Sequence, residues 1–304
     1  MKRLGFVSVL MILCGCVVAP SQKPASYANL NHFYLVVDQE TADAIATLPL
    51  LETMVGRRVD DPDEPGQTYA GIYLYGQQTY AEFFSPSGFD LTAQTSTPAG
   101  LFGIAVGGDR LGDLDRVADV MDGRAIPYDR SMRTFTTRDG EELGRFEKLN
   151  LKGATDRQNM IWVMQYHAEL FALIRETSDD PSIQGMPSDS VSREVYNVGR
   201  YEPDLLIRDT ARLKLSITPG EEQPFTDILG AAGFVIKATP SGFIAIGNDI
   251  ELEFGVVLEG PVGISEIEFA LHRSPEEAKS VAIGSSELAI GPGPTATWRF
   301  ERGD

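Results

Sequence analysis

Residues 31–37 read Asn-His-Phe-Tyr-Leu-Val-Val, and residues 68–84 read Thr-Tyr-Ala-Gly-Ile-Tyr-Leu-Tyr-Gly-Gln-Gln-Thr-Tyr-Ala-Glu-Phe-Phe. The first stretch is rich in aromatic and β-branched residues, which predicts a strand buried on at least one face. The second is divided by Gly76-Gln77-Gln78 and predicts a hairpin. Between them, Asp38 is a good N-cap and Pro49 ends the segment, which predicts a helix. This region therefore predicts strand, helix and then further strands.

The same order of elements recurs three more times. Apolar residues at helical spacing follow each of the strands predicted at 101–106 and 212–217, and each helix ends at a glycine. The fourth copy begins with a strand at 264–271, and a capping box at Ser274-Pro275-Glu276-Glu277 predicts a short helix after it. The predicted fold class is α+β, with four β-α-β-β-β modules that pair into two domains. A generic α+β protein with an accidental period is the alternative.

Composition restricts the partners of the chain. The 304 residues include 26 Lys and Arg, 44 Asp and Glu, and 42% hydrophobic residues, with a net charge of −18. A globular protein is expected, and the length suits two domains. Nucleic acid is not expected as a partner, because its binding depends on clustered Lys and Arg side chains and the mature region has no basic run.

The amino terminus predicts export and a lipid anchor. Met1-Lys2-Arg3 precedes an apolar run that ends at Leu13-Cys14-Gly15-Cys16, which is typical of a signal peptide over residues 1–15. The last four of these residues resemble the bacterial lipobox. This resemblance implies that Cys16 is acylated, carries diacylglycerol and palmitate-type chains, and holds the protein on a lipid bilayer. With Val17 after the cysteine, an outer-membrane location facing the periplasm is expected in a Gram-negative host. A secretory signal cut after Ala19 is the alternative.

The remaining boundaries follow from composition and from the repeat. Residues 16–29 are predicted to form a tether, 30–176 an amino-terminal domain, 177–209 a polar linker and 210–304 a smaller carboxyl-terminal domain.

Paired β-α-β-β-β modules, with His32 in the first strand and Glu82 in the last strand of one module, resemble the vicinal oxygen chelate superfamily. This superfamily includes glyoxalases, extradiol dioxygenases and bleomycin-resistance-like proteins. Within it, the stretches 31–37 and 69–84 are most similar to a bacterial lipoprotein domain family of unknown function. The resemblance implies glyoxalase-like half-barrel pairs, in which a divalent metal is held by the first and last strands of each module.

Transferred to this chain, the resemblance implies one divalent cation of Zn, Fe, Mn or Ni. The candidate metal ligands are His32, Glu82, Gln165 and His167, and Glu82 is also the candidate catalytic residue because it could move a proton. The second module departs from the pattern, since Leu101, Phe102 and Gly103 stand where a second histidine is expected. Alternatively, His32 only forms hydrogen bonds within the barrel, and Glu82 pairs with Arg145 or Arg193.

In the third module Arg212 stands where His32 does in the first, and Glu253 matches Glu82. An ion pair between Arg212 and Glu253 is therefore predicted in place of a metal. Three functions remain open: a metal-dependent lyase, isomerase or dioxygenase-like enzyme, a non-catalytic protein that binds a small-molecule ligand, and an envelope scaffold.

Overall fold

The computed structural model describes residues 26–63, 68–93, 95–153 and 159–300. The predicted signal peptide, Cys16 and residues 17–25 of the predicted tether lie outside these ranges. Within them, no helix is long and apolar enough to cross a membrane.

The first half of the described chain forms an eight-stranded sheet with helices between its strands. Its strands are β1 (Asn29–Val36), β2 (Gly56–Val59), β3 (Gly71–Tyr75), β4 (Tyr80–Phe84), β5 (Phe102–Gly107), β6 (Tyr128–Thr136), β7 (Glu142–Leu151) and β8 (Met160–Tyr166). Its helices are α1 (Gln39–Thr47), α2 (Pro49–Glu52), α3 (Asp113–Gly123), α4 (Ala168–Thr177), α5 (Pro181–Gln184) and α6 (Arg193–Asn197). Helix α1 begins where Asp38 accepts a hydrogen bond from the Thr41 backbone N–H at 2.8 Å, which confirms the predicted cap.

The second half forms another eight-stranded sheet. Its strands are β9 (Ile207–Ile217), β10 (Val235–Thr239), β11 (Gly242–Ile246), β12 (Glu251–Val256), β13 (Gly263–Leu271), β14 (Lys279–Ile283), β15 (Ser286–Ile290) and β16 (Thr295–Phe300). Its helix is α7 (Pro219–Ala231), which opens with a capping box between Thr218 and Glu221.

Both sheets have the same strand order, which confirms the repeat. The first runs β2-β3-β4-β1-β5-β8-β7-β6, and the second runs β10-β11-β12-β9-β13-β16-β15-β14. In each sheet the first strands of two modules lie side by side at the centre. The α+β architecture of paired β-α-β-β-β modules is therefore as predicted in the first three copies.

The fourth module differs from the other three. Its first and last strands, β13 and β16, are antiparallel, whereas β1 and β4, β5 and β8, and β9 and β12 are parallel. Parallel strands need a long crossover connection, usually a helix, and residues 272–278 are too few to supply one. These residues form turns and bends. The short helix predicted at Ser274-Pro275-Glu276-Glu277 is wrong, and the antiparallel direction follows from its absence.

The two sheets share one hydrophobic core. It lies on the sheet faces that also carry α1, α3 and α7, and it continues from one sheet into the other. Phe83 is 5.2 Å from Trp298 between ring centroids, and Phe102 is 5.9 Å from Phe225. A partly buried Asp209 carboxylate joins the halves by accepting hydrogen bonds from the backbone N–H groups of Gln78 and Thr79. Each sheet thus turns its opposite, concave face away from the shared core.

Residues 168–200, called the cover segment below, pack on the concave face of the first sheet. Phe171, Ile183, Val191 and Val195 form a buried cluster with side chains of β5 and β8. Asn197 donates hydrogen bonds from Nδ2 to the backbone oxygens of Gly76 and Thr79. Much of the stretch predicted as a polar linker at 177–209 is therefore an ordered part of this face, because its apolar residues are spaced to reach the sheet.

Candidate functional site

The candidate site lies on the concave face of the first sheet, where side chains from neighbouring strands form two rows. In one row His32 of β1 is opposite Tyr80 of β4, which is opposite Tyr75 of β3. In the other, Tyr34 is opposite Glu82, which is opposite Tyr73. Alternation of side chains along strands places His32 and Glu82 on one face, as the sequence predicted. We call this region the tyrosine cup.

Small residues of β5 leave room for aromatic side chains of the neighbouring strands at the centre of the sheet. Gly103 pairs with Tyr34, and Ala105 pairs with His32. A Cβ atom at Gly103 would lie 2.2 Å from Cε1 of Tyr34 and 2.9 Å from Cζ3 of Trp162. These rings therefore occupy the space in which the superfamily pattern places a second histidine, and no larger side chain fits there.

His32 is a buried, neutral imidazole. Its ring stacks on Tyr80 at 4.6 Å and meets the edge of Trp162 at 5.5 Å. A β-bulge in β1 between Leu30 and His32 sets the register, and Nδ1 of His32 lies 2.8 Å from the Asn31 Oδ1 acceptor. Because Asn31 Oδ1 is an acceptor, Nδ1 carries the proton in this hydrogen bond, and Nε2 of the neutral ring is then an acceptor. Burial, with a smaller effect of the Arg145 charge, lowers the pKa of His32 to about 3.

The Glu82 carboxyl group lies among tyrosine side chains. Its neighbours across the strands are Tyr34 and Tyr73, and within the described ranges it forms no ion pair or hydrogen bond. Burial raises the pKa of Glu82 to about 8, although the positive charge of Arg145 acts in the opposite direction. At neutral pH this side chain is therefore mostly a neutral acid that can donate a hydrogen bond.

The Tyr34 hydroxyl is a second unsatisfied polar group. The residue is 5% exposed, and its oxygen has no hydrogen-bond partner among the described residues. Its ring packs against Phe84, Phe89 and Trp162. Burial raises the pKa of Tyr34 well above its ordinary value, so the hydroxyl stays protonated. A buried hydroxyl without a partner costs about 1–3 kcal/mol, which indicates that a partner is to be supplied.

The mouth of the tyrosine cup lies between Tyr69 and the cover segment. Tyr69 is 40% exposed, and Glu82 and Trp162 retain part of their surface in solvent. At this mouth Arg145 of β7 donates a hydrogen bond from Nη2 to the Tyr196 hydroxyl at 3.2 Å. Tyr196 in turn stacks on Tyr166 with their centroids 4.2 Å apart.

The other predicted ligands lie away from this pair. Gln165 points to the opposite face of β8, where its Oε1 accepts a hydrogen bond from the Leu114 backbone N–H at 3.1 Å. His167 caps α4, close to Gly144, with its Nδ1 3.4 Å from a Glu169 carboxylate oxygen. The structure thus brings His32 and Glu82 to one face and does not bring Gln165 to them.

This donor set does not fit a bound divalent metal. Within the described ranges, no group of three or more His, Cys, Asp or Glu side chains is arranged to hold an ion. Gly103 supplies no side chain where a ligand is needed, and the Arg145 charge acts on both His32 and Glu82. A cation would therefore have two protein ligands and a guanidinium nearby, which is unfavourable. Of the alternatives open from sequence, the hydrogen bond of His32 is found, whereas Arg193 pairs with Asp109 and not with Glu82.

The second sheet has a different concave face. Arg212 and Lys214 of β9 are opposite Glu251 and Glu253 of β12. The guanidinium of Arg212 forms an ion pair with Glu253 and lies 3.2 Å from Glu251, and Lys214 Nζ lies 3.5 Å from Glu253. The predicted pair of Arg212 and Glu253 is therefore confirmed. We call this region the charged cup.

Sequence reasoning gave no site role to Tyr34 or Tyr196, and it considered Arg145 only as an ion-pair partner of Glu82. Tyr196 lies in the stretch assigned to a linker, and Arg145 follows a glycine in a strand with little apolar pattern. The aromatic and β-branched residues at 191–201 are the signal from which packing of the cover segment could have been predicted.

Comparisons with solved structures found several similar chains. A hypothetical protein from Staphylococcus aureus has a TM-score of 0.50 at 11% identity, over 87% of this chain and 99% of that one. Structural neighbours also include a Mn(II)-bound glyoxalase from Novosphingobium aromaticivorans, with a TM-score of 0.39 at 12% identity over 92% and 84% of the two chains. A third is an extradiol ring-cleaving dioxygenase from B. fuscum, with a TM-score of 0.34 at 13% identity over 86% and 60%.

No curated protein sequence matches the chain. A family model does match it, over residues 30–300, and so spans both sheets and the cover segment between them. The chain belongs to the family of unknown function DUF5829.

Proposed function

We propose that this protein binds a small organic molecule in its tyrosine cup, without a metal, and that it does so on the surface of a bacterial envelope membrane. The observation that carries the proposal is the Tyr34 hydroxyl, which is buried and has no partner among the described residues. A ligand oxygen beside it would supply the missing hydrogen bond. The protonated Glu82 and Nε2 of His32 offer a donor and an acceptor on the same face.

Binding without turnover is the function that this geometry supports best. Burial keeps the His32 ring neutral and raises the pKa of Glu82 to about 8, so that at pH 7 these groups offer a hydrogen-bond acceptor and a hydrogen-bond donor to a bound molecule. The rings of Tyr80 and Trp162 both contact His32, the first by stacking and the second edge-on, and aromatic side chains with a few polar groups among them are typical of small-molecule sites. The metal-dependent enzyme, one of the three functions left open by the sequence, has no assembled donor set among the described residues.

Trp162 gives a direct test, because it lies in the cup while the other tryptophan, Trp298, is buried in the shared core. Binding of an aromatic probe to the purified full-length protein should change the Trp162 fluorescence. We suggest 4-hydroxybenzamide, 4-hydroxybenzoate and tyramine as neutral, anionic and cationic probes. The signal should be lost in Trp162→Phe. If none of the three binds in calorimetry, the proposal fails.

Tyr34→Phe separates a ligand-binding role from a structural one. Removing a hydroxyl that has no partner should leave the free energy of unfolding unchanged or slightly increased, and should weaken probe binding about 3- to 10-fold. Loss of stability without loss of binding would contradict the role given to this hydroxyl. Elemental analysis of the same protein should find less than 0.1 metal ion per chain after Zn, Fe, Mn and Ni have been offered. One tightly bound ion per chain would restore the metalloenzyme interpretation.

The envelope location is supported by residues 1–16. The basic start, the short apolar run and Leu13-Cys14-Gly15-Cys16 favour acylation of Cys16, and Val17 favours the outer membrane facing the periplasm. The full-length protein should incorporate a labelled palmitate analogue, and Cys16→Ser should not. Equal labelling of both forms would refute this anchor.

A further inference from the structure

The mouth of the tyrosine cup carries three arginines. Arg145 reaches the Tyr196 hydroxyl. The Arg200 guanidinium carbon lies 5.0 Å from the centroid of the Tyr196 ring and 5.9 Å from that of Tyr75. Arg58 lies 6.0 Å from the centroid of Tyr73. Three guanidinium groups thus lie beside the tyrosine rings of this cup, in a protein whose net charge is −18.

Two of these arginines have no carboxylate partner among the described residues. Arg58 forms an ion pair with Asp60 at 2.9 Å, so its charge is largely compensated. Arg145 binds a tyrosine hydroxyl, and Arg200 donates its hydrogen bond to the backbone oxygen of Tyr196. Elsewhere, Arg130 and Arg299 both reach acidic side chains.

The Glu82 carboxyl group inside the cup does not neutralise the positive charge of the arginines either. Glu82 forms no ion pair with Arg145 within the described ranges, and burial keeps its carboxyl mostly protonated at pH 7. His32 is neutral. The charge of Arg145 acts on Tyr69 and Tyr80 as well, since both hydroxyls lie within its electrostatic reach. The local field at the mouth is therefore positive although the whole chain is acidic.

We propose that the ligand of the tyrosine cup is a flat organic anion, whose acid group meets Arg145 and Arg200 at the mouth while its apolar body lies against the partly exposed rings of Trp162 and Tyr69. This inference rests on the proposed function and adds the ligand class. A planar guanidinium can bind a carboxylate through two parallel hydrogen bonds, and the Tyr196 hydroxyl already holds Arg145 in place. Aromatic rings pack favourably against a flat, apolar group.

Matched acid and amide pairs test the charge without changing the shape of the probe. We expect 4-hydroxybenzoate to bind at least tenfold more tightly than 4-hydroxybenzamide, and cinnamate at least tenfold more tightly than cinnamamide, in calorimetry of the full-length protein at pH 7. Raising the salt concentration from 50 to 500 mM should reduce the preference severalfold, because the mouth is open to solvent.

Variants of the two arginines identify the source of the preference. Arg145→Gln should lose most of the preference for acids over amides, Arg145→Lys should keep part of it, and Arg200→Gln should show a smaller loss. Arg208→Gln, which removes an exposed arginine at the junction of the sheets, is the matched control and should bind as the wild type does. Circular dichroism and melting temperature establish that each variant is folded.

The outcomes distinguish the two proposals. If acids and amides bind with equal affinity, the anion inference is wrong and the binding function stands. If an acid preference persists unchanged in folded Arg145→Gln and Arg200→Gln, the mouth does not provide it and the inference is again wrong. If no probe of either kind binds, the binding function itself fails.

Discussion

Glu82 and Glu253 occupy the same position in two copies of one sheet, and their surroundings move their pKa values in opposite directions. Glu82 lies between Tyr34 and Tyr73, and burial raises its pKa to about 8. For Glu253, burial also acts to raise the pKa, but the hydrogen bond and charge of Arg212 and the charge of Lys214 hold it below its ordinary value. One fold thus makes a neutral acid in one cup and a paired anion in the other.

The residue opposite the glutamate decides the difference. In the tyrosine cup β1 supplies His32 and Tyr34, while in the charged cup β9 supplies Arg212 and Lys214 at the same register positions. The cover segment then shields the first cup, whereas the Lys214 and Glu251 side chains are 50% and 41% exposed. Shielding strengthens every polar effect in the first cup, and water screens them in the second.

The largest expected effect is on packing. Tyr166→Ala removes a fully buried ring that stacks on Tyr196 and contacts Phe171 at 5.7 Å, so it should lower the free energy of unfolding by about 3–4 kcal/mol. Lys214→Ala in the charged cup should change it by less than about 0.5 kcal/mol. Urea unfolding of both variants measures the contrast. A small loss in Tyr166→Ala would show that the cover segment contributes little to the first cup.

Much of this arrangement could be predicted from local pattern. Alternation along β1 and β4 placed His32 and Glu82 on one face, and the spacing of Leu114, Val117, Ala118 and Met121 identified α3. The same reasoning matched Arg212 to Glu253 across β9 and β12, and the pair is present. These successes share a cause, because period-2 and period-3.6 patterns are set within one element.

The failures depend on contacts between elements. Side chains alternate along β8, so Trp162 and Tyr166 lie in the cup and Gln165 lies on the opposite face, against α3. The sequence alone does not show which of the two faces of β8 points into the cup. Residues 274–277 have the sequence pattern of a capping box, but no helix forms there. Since β16 of the fourth module is antiparallel to β13, where the other modules have a parallel pair, a short connection is sufficient and no crossover helix is needed.

The next effect is on the pH dependence of stability. The pKa of Glu82 is about 8 in the native state and 4.5 ordinarily. Between pH 4.5 and pH 8, the native state therefore keeps a proton that the unfolded state has released. The stability contributed by this group therefore falls as pH rises from about 4.5 to 8 and is constant above. Glu82→Gln removes this penalty. Its free energy of unfolding should equal that of the wild type at pH 4 and exceed it by about 1–3 kcal/mol at pH 9.

Glu253→Gln is the matched control for this profile. Because the pKa of Glu253 is lowered in the folded protein, the carboxylate stabilises the native state above its ordinary pKa, and the substitution should cost up to about 0.5 kcal/mol at pH 7. Urea unfolding at pH 4, 7 and 9 gives both curves. If Glu82→Gln were destabilising at pH 9, Glu82 would be an anion with a partner, and the contrast between the two cups would disappear.

The smallest expected effect is the coupling between Arg212 and Glu253. Their side chains are 34% and 26% exposed, so water screens the attraction, and Glu253 keeps Lys214 at 3.5 Å when Arg212 is removed. A double-mutant cycle with Arg212→Gln and Glu253→Gln should therefore give a coupling free energy of about 0.5–1 kcal/mol, reduced by 0.5 M salt. A coupling above about 2 kcal/mol that resists salt would mean that the pair is effectively buried. The charged cup would then resemble the tyrosine cup in dielectric environment, and the difference between Glu82 and Glu253 would arise from their partners alone.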